Sequence, residues 1–250
     1  MWNMMRSEWY KVLKSRVTWV TLFVFLGMAA IQIVAAAYAK CKGGDWEMIL
    51  GRDGLFVFST YPSGTFYFLL VALFVGGIVT SEFTTGTVKQ VVSRGVSRAQ
   101  IVIGQYAALC VAMTVITWIP AMLLAGVYSL AWGFGSIPVA RFLLLILGQL
   151  VVIWSYVAIS MLIGHVTRSG GLSVGINLMI LLLGTMATSI VSMLLEWDWV
   201  REYWLTNLQG KALSLEYGVG VQCKCVLILL ALGAACVGGS VLVFQRRDVQ

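Results

Sequence analysis

The sequence predicts an all-α polytopic membrane protein with six transmembrane helices, and two observations lead to this fold class. Of the 250 residues, 60% are hydrophobic and only 11% are charged, whereas a soluble domain carries about 25% charged residues. The charges also leave six long uncharged segments, each sufficient for a helix across a hydrocarbon core of about 30 Å. No internal repeat or separate soluble segment is visible, so we expect residues 1–250 to form one domain.

The first predicted element is an amphipathic helix within residues 1–16, lying in the membrane interface ahead of the first span. A positive anchor that merely fixes orientation is the simpler alternative. A cleavable signal peptide fits less well, because the basic region contains Glu8 and the apolar run exceeds roughly 15 residues. At 100° per residue, one arc of the helix carries Trp2, Met5, Trp9, Val12 and Leu13, and the opposite arc carries Lys11, Lys14, Ser7 and Ser15.

The six spans follow in order along the rest of the chain. The third uncharged segment is too long for one helix, and Gly133, Gly135 and Pro138 predict a turn that ends it. Pro120 predicts a kink within that span. The predicted spans are approximately residues 17–39, 62–81, 99–132, 142–164, 170–195 and 224–245.

The distribution of basic residues predicts that both termini are cytoplasmic. The loops on the side of the termini hold ten Lys and Arg in 47 residues, and the opposite loops hold seven in 62. Cytoplasmic loops are the ones enriched in Lys and Arg. This bias also accounts for the net charge of +7, so no nucleic-acid partner is expected.

The segment from Glu82 to Arg98, between the second and third spans, predicts a short cytoplasmic helix. Val88, Val91 and Val92 share one face of it, and Thr84 or Thr85 is a candidate N-cap. Glu82 is placed well for the positive end of the helix dipole. An ordinary surface turn is the alternative.

The chemistry-bearing residues exclude several functions. No Asp, Glu, Lys or Arg falls in the middle of a predicted span, which argues against a carrier coupled to protons or sodium. The single histidine, His165, is expected at a helix end in the interface and supplies neither a catalytic base nor a metal set. The chain has no phosphate-binding loop, so we expect no cofactor here and any ATP-driven work to be done by a separate protein.

The cysteines divide into two groups. Cys110 and Cys236 lie within spans and are expected to be packing residues. Cys41, Cys223 and Cys225 fall on the predicted outer side, where a disulfide joining Cys41 to Cys223 or Cys225 is one interpretation. Metal binding is disfavoured, because the Cys-Lys-Cys spacing is not that of a structural zinc site and His165 lies at the opposite membrane face.

The sequence resembles the membrane subunits, or permeases, of type-2 ABC exporters, in span number and order as well as in motifs. After the second span it has Glu82-x-x-x-Gly86-Thr87-x-Lys89. The other matching segments are Ser7-Glu8-Trp9-Tyr10-Lys11-Val12-Leu13-Lys14-Ser15-Arg16, Ser93-Arg94-Gly95-Val96-Ser97-Arg98 and Phe244-Gln245-Arg246-Arg247-Asp248.

The resemblance implies a permease in a bacterial cytoplasmic membrane that pairs with an identical or homologous permease and with two cytoplasmic ATPase subunits, which bind ATP and Mg. In that family, the N-terminal helix and the helix after the Glu-x-x-x-Gly-Thr motif contact the ATPase. Carried over, the coupling residues are Glu82, Gly86, Thr87 and Lys89, with Arg94 and Arg98 anchoring the end of the element.

Two further features bear on the resemblance. The pair Gly104-Gln105 departs from the Gly-Lys pair of many relatives. Relatives also form short external helices between the fifth and sixth spans, and residues 196–217 fit such a cap.

The expected substrate is hydrophobic or amphipathic, such as an antimicrobial peptide, a drug or a lipid-like molecule, in the manner of lantibiotic immunity or drug-efflux permeases. No substrate-binding residue can be named. The rival reading is a non-transporting scaffold or sensor that recruits a cytoplasmic partner.

Overall fold

A computed structural model describes residues 2–44, 51–84 and 97–246. Within these ranges the chain forms ten helices and no β-strand. The helices are α1 (Trp2–Lys14), α2 (Arg16–Lys42), α3 (Gly54–Thr60), α4 (Thr65–Thr84), α5 (Arg98–Trp132), α6 (Val139–Thr167), α7 (Gly170–Leu195), α8 (Asp198–Glu202), α9 (Leu205–Leu213) and α10 (Val219–Arg246).

Six of these helices, α2, α4, α5, α6, α7 and α10, are long and apolar enough to cross a membrane. The predicted number of spans is therefore confirmed, and the protein has the build of a multi-pass membrane protein. Several observed helices are longer than the predicted spans, because they include charged residues at which the prediction ended a span. α6 begins at Val139 and includes Arg141 in its first turn, where the guanidinium donates to the carbonyls of Leu215 and Tyr217, both at 2.5 Å.

The bundle is built around α4, α5 and α6. In their most apolar stretches 61%, 56% and 50% of the residues are buried, against 22%, 17% and 17% in α2, α7 and α10. α6 packs against α4, α5, α7, α9 and α10. Its Tyr156 meets Phe68 of α4 edge-to-face with 4.2 Å between ring centroids, and both side chains are fully buried. The three peripheral spans therefore carry most of the surface that would face lipid.

Short helices fill the end of the bundle opposite α1. α8 and α9 lie between α7 and α10, in agreement with the expected short helices in this segment. In α9 the Gln209 amide donates to the carbonyl of Pro62 at 2.5 Å and its oxygen accepts from the Tyr156 hydroxyl. These bonds fix α9 to α6 and to the turn before α4.

The sequence did not predict α3. Its first two amides, of Gly54 and Leu55, donate to the carbonyls of Gly133 and Phe134 at 3.0 and 2.9 Å. These partners lie in the turn between α5 and α6. A Cβ on Gly54 would lie 2.6 Å from the Ala125 carbonyl oxygen, so glycine permits α3 to approach the backbone of α5.

Candidate functional site

The N-terminal helix α1 and the last turn of α10 both contact α5 at one end of the bundle, which we call the α1 end. Here α1 packs along α5 and touches the start of α2. At its centre lie four polar side chains from three helices, named below as the Lys11 cluster: Glu8 and Lys11 of α1, Glu82 of α4 and Gln105 of α5.

Lys11 bridges two carboxylates in this cluster. Its Nζ lies 2.6 Å from Oε1 of Glu8 and 3.4 Å from Oε1 of Glu82. The Gln105 amide donates to the other Glu82 oxygen, Oε2, at 3.0 Å. The side chains of Glu8 and Glu82 are 2% and 12% exposed, so water screens these contacts less than it screens a surface ion pair.

The local structure of α1 explains how Lys11 reaches α4. Ser15 ends the helix and caps α2, and the Thr18 hydroxyl donates to the carbonyl of Val12 at 2.5 Å. This turn lays α1 across the bundle with Glu8 and Val12 buried. Tyr10 and Leu13 are 63% and 44% exposed on the outer side.

A helix therefore forms over the predicted segment, but its faces differ from the expected ones. Trp9 is half-buried against the core, whereas Leu13, expected on the same apolar arc, is exposed and Lys11 faces the bundle. An ion pair with Glu82 outweighs the tendency of the ammonium to face water. Lys14 is exposed, with its Nζ 5.7 Å from the centroid of the Tyr10 ring. The side chain of Trp2 lies outside the described part of the structure.

Electrostatics keep Lys11 charged. Burial alone would lower the pKa of its ammonium, but the charges and hydrogen bonds of Glu82 and Glu8 outweigh burial and raise the pKa above the ordinary value of 10.5. The Lys11 side chain therefore stays protonated, and its attraction to Glu82 opposes separation of α1 from α4.

At the same end of the bundle, Arg98 of α5 binds the end of α10. Its guanidinium donates from Nη1 to the carbonyls of Phe244 and Gln245 at 3.2 and 3.0 Å. These carbonyls belong to the last turn of α10, where a cation satisfies unpaired acceptors and complements the helix dipole. The predicted anchor residue therefore connects the first turn of α5 to the end of α10.

An aromatic group around His165 lies beside these polar contacts. The His165 ring is 5.9 Å from Phe83 and 5.6 Å from Phe244 between centroids, and the residue is 3% exposed. The guanidinium carbon of Arg168 lies 5.4 Å from the Phe83 centroid. His165 lies near a helix end, and its ring is buried because Phe83 and Phe244 come from distant parts of the chain and cover it.

Several predicted site residues are not brought into view. Gly86, Thr87, Lys89 and Arg94, and with them the predicted short cytoplasmic helix, lie outside the described residues.

Among the described residues there is no group of three or more His, Cys, Asp or Glu that could hold a metal ion. All five cysteines are free in the structure: Cys41 is exposed, Cys223 half-buried and Cys225 buried, and Cys110 and Cys236 lie within spans.

Gln105 and Glu8 are the members of the cluster that sequence reasoning did not assign to the site. Gln105 had been singled out as a departure from the Gly-Lys pair of many relatives, and here it binds the same carboxylate as Lys11. Glu8 lay in a matching motif without a role. In both cases the sequence shows only a polar residue next to an apolar segment, and this pattern does not identify the residue that it will bind.

Comparison with protein families gives one match. Residues 17–250 match the model described as a protein of unknown function, DUF2705. The chain belongs to the DUF2705 family. The match to DUF2705 covers all six long helices, with Glu82, Arg98 and Gln105, and begins after α1. No curated protein matches the sequence.

Proposed function

We propose that this DUF2705 chain is the permease subunit of an ATP-driven ABC exporter. It pairs with a second permease, identical or homologous, and with two cytoplasmic ATPase subunits that bind ATP and Mg. The chain itself is non-catalytic. Both termini lie in the cytoplasm, and the membrane is the bacterial cytoplasmic membrane, as the resemblance and the bias of Lys and Arg among the loops suggest.

One observation carries the proposal: Lys11 and Gln105 bind opposite oxygens of Glu82. In the permeases of type-2 ABC exporters, which this sequence resembles, the N-terminal helix and the segment after this glutamate contact the ATPase. In this chain the N-terminal helix α1 is bonded to Glu82, near the end of α4, and Gln105 of α5 is bonded to the same carboxylate. A displacement of α1 therefore reaches α4 and α5 without passing through a flexible link.

The mechanism follows from these connections. Closure of the ATPase dimer pushes on α1 and on the segment after α4, and the Lys11 cluster passes the movement to α4 and α5. Arg98 extends it to α10, because its guanidinium holds the last carbonyls of that helix. The spans then alternate between two packings, as two-state transport requires.

The substrate class follows from the composition of the spans. The middle of each span lacks Asp, Glu, Lys and Arg, so an apolar path suits a hydrophobic or amphipathic molecule better than a small ion. An antimicrobial peptide, a drug or a lipid-like molecule fits this description.

The experiment is purification of the tagged chain from its native host in mild detergent, followed by identification of bound proteins and an ATPase assay. We expect a soluble subunit with a phosphate-binding loop and ATP hydrolysis by the complex. A stable complex that contains no nucleotide-binding protein would contradict the proposal and favour a scaffold or sensor that recruits another partner.

A further inference from the structure

A cavity of about 360 Å³ lies at the opposite end of the bundle, between α2, α3, α4 and α5. This volume is at the lower end of the range for small-molecule sites. Aromatic rings form much of its wall: Phe25 of α2 packs 6.2 Å from Tyr61 and 5.8 Å from Tyr67 between centroids, and Phe56, Phe66 and Tyr128 also line the cavity.

Two of the three tyrosine hydroxyls that line the cavity are already engaged. Tyr61 donates to the Phe25 carbonyl at 3.1 Å, and the hydroxyl of Tyr67 shares a hydrogen bond of 3.2 Å with that of Thr117. These bonds fix two of the rings in place. A ligand would therefore meet preformed apolar walls, with the polar recognition supplied by other residues.

Two lining residues retain free polar groups. Gln32 and Arg52 are exposed residues at the rim of the cavity and have no hydrogen-bond or ion-pair partner within the described ranges, although the Arg52 guanidinium carbon lies 5.4 Å from the centroid of Phe56. Gln32 stands ten residues before the end of α2, inside an uncharged segment. An exposed, unpaired amide at such a position is costly in lipid, and its place at the rim of the cavity puts it within reach of a polar group of a bound molecule.

We propose that this cavity binds an anionic amphiphile, with its apolar body against the aromatic rings and its carboxylate or phosphate on Arg52 and Gln32. Arg52 is the one ionised residue among the described lining residues, which favours an anion and disfavours a cation. A guanidinium above an aromatic face remains free to form charge-assisted hydrogen bonds to such a group. The step from binding to transport rests on the proposed function, whereas binding itself does not.

The test measures binding of dansylaminoundecanoic acid to the purified full chain in phosphatidylcholine nanodiscs, without nucleotide or ATPase. Energy transfer from the ten tryptophans of the chain reports the bound dansyl group. We expect saturable binding, weakened about tenfold by Arg52→Gln and by Gln32→Leu, because each change removes a bond to the acidic group. Arg201→Gln removes an exposed arginine that does not line the cavity and should leave the affinity unchanged.

The methyl ester of the probe gives a comparison that needs no variant. We expect the ester to bind the wild-type chain about tenfold more weakly than the acid. Equal affinities for acid and ester, or an Arg52→Gln chain that binds the acid as well as wild type, would overturn the proposal. Displacement of the probe by added phosphatidylglycerol identifies a bilayer lipid as the source of the anion, and retention of the probe identifies a molecule from outside the bilayer. If the probe does not bind at all, the cavity proposal fails, whereas the proposed exporter function is tested separately by co-purification of an ATPase.

Discussion

Lys11 of α1 and Gln105 of α5 bind the two oxygens of one carboxylate, that of Glu82 in α4. The ammonium of Lys11 lies 3.4 Å from Oε1, and the Gln105 amide donates to Oε2 at 3.0 Å. The first helix of the chain is thereby joined to two of the three most buried spans, α4 and α5.

A double-mutant cycle should measure this connection directly. We expect Lys11→Met and Glu82→Gln to be non-additive by about 1 kcal/mol in thermal unfolding, a modest value because Lys11 remains partly exposed. The matched control is Lys211 and Glu202, whose atoms lie 2.8 Å apart at the other end of the bundle with Glu202 53% exposed. That pair should be additive within error. Equal behaviour of the two pairs would show that the Lys11 cluster contributes no more than a surface ion pair.

The charge on Lys11 predicts a dependence on alkaline pH. Because its folded-state pKa is raised above 10.5, its contribution to stability is fully present below pH 10.5 and is lost as the pH rises through the folded-state value. Apparent melting temperatures of wild type and Lys11→Met should therefore differ below pH 10.5 and converge as the pH rises through the folded-state value. The expectation fails if the difference stays constant up to the highest pH at which both chains fold.

The contact between α3 and α5 predicts a contrast between two glycines. Gly54→Ala would place a Cβ 2.6 Å from the carbonyl oxygen of Ala125, whereas a Cβ at Gly126 meets nothing within 4 Å. We expect Gly54→Ala to lower the free energy of unfolding by about 1–3 kcal/mol, and Gly126→Ala to be neutral or stabilising because alanine favours helix. Melting curves of the two variants provide the measurement. Equal stability would mean that α3 does not need its close approach to α5.

The proposed orientation can be tested through Cys41, which is exposed near the end of α2. After reduction, a maleimide that does not cross membranes should label Cys41 in intact cells. In a Cys41→Ser background, Lys14→Cys at the α1 end should react only after permeabilisation, because α1 lies at the other end of α2. The reverse pattern would place the termini outside. Full labelling of Cys41 without reduction would agree with the free cysteines of the structure and count against a disulfide with Cys223 or Cys225.

The sequence predicted the spans well because their signal is local. A run of apolar residues of sufficient length determines a membrane helix by itself, and all six observed spans overlap the predicted segments. The errors at their ends arose at charged residues such as Arg141, which the sequence treated as loop. In the structure Arg141 remains in α6, because carbonyls near the end of α9 accept its hydrogen bonds.

The details of the site depended on contacts between distant residues and were harder to predict. Lys11 and Glu82 are separated by 71 positions, so a helical wheel placed Lys11 on the outward face. α3 was missed for the same reason, since its first amides are held by carbonyls of the turn after α5. Periodicity describes a single helix and does not specify which face a distant partner will bury.

The most direct test of the central claim is the ATP hydrolysis rate of the purified complex with Glu82→Gln in the chain, compared with Glu202→Gln. Both substitutions remove one carboxylate charge from an ion pair with a lysine, but only Glu82 joins α1 to α4 and α5. We predict that both complexes retain the ATPase subunit and that Glu82→Gln lowers the hydrolysis rate at least about tenfold, whereas Glu202→Gln leaves it unchanged. Equal rates in the two variants would contradict a role for the Lys11 cluster in coupling.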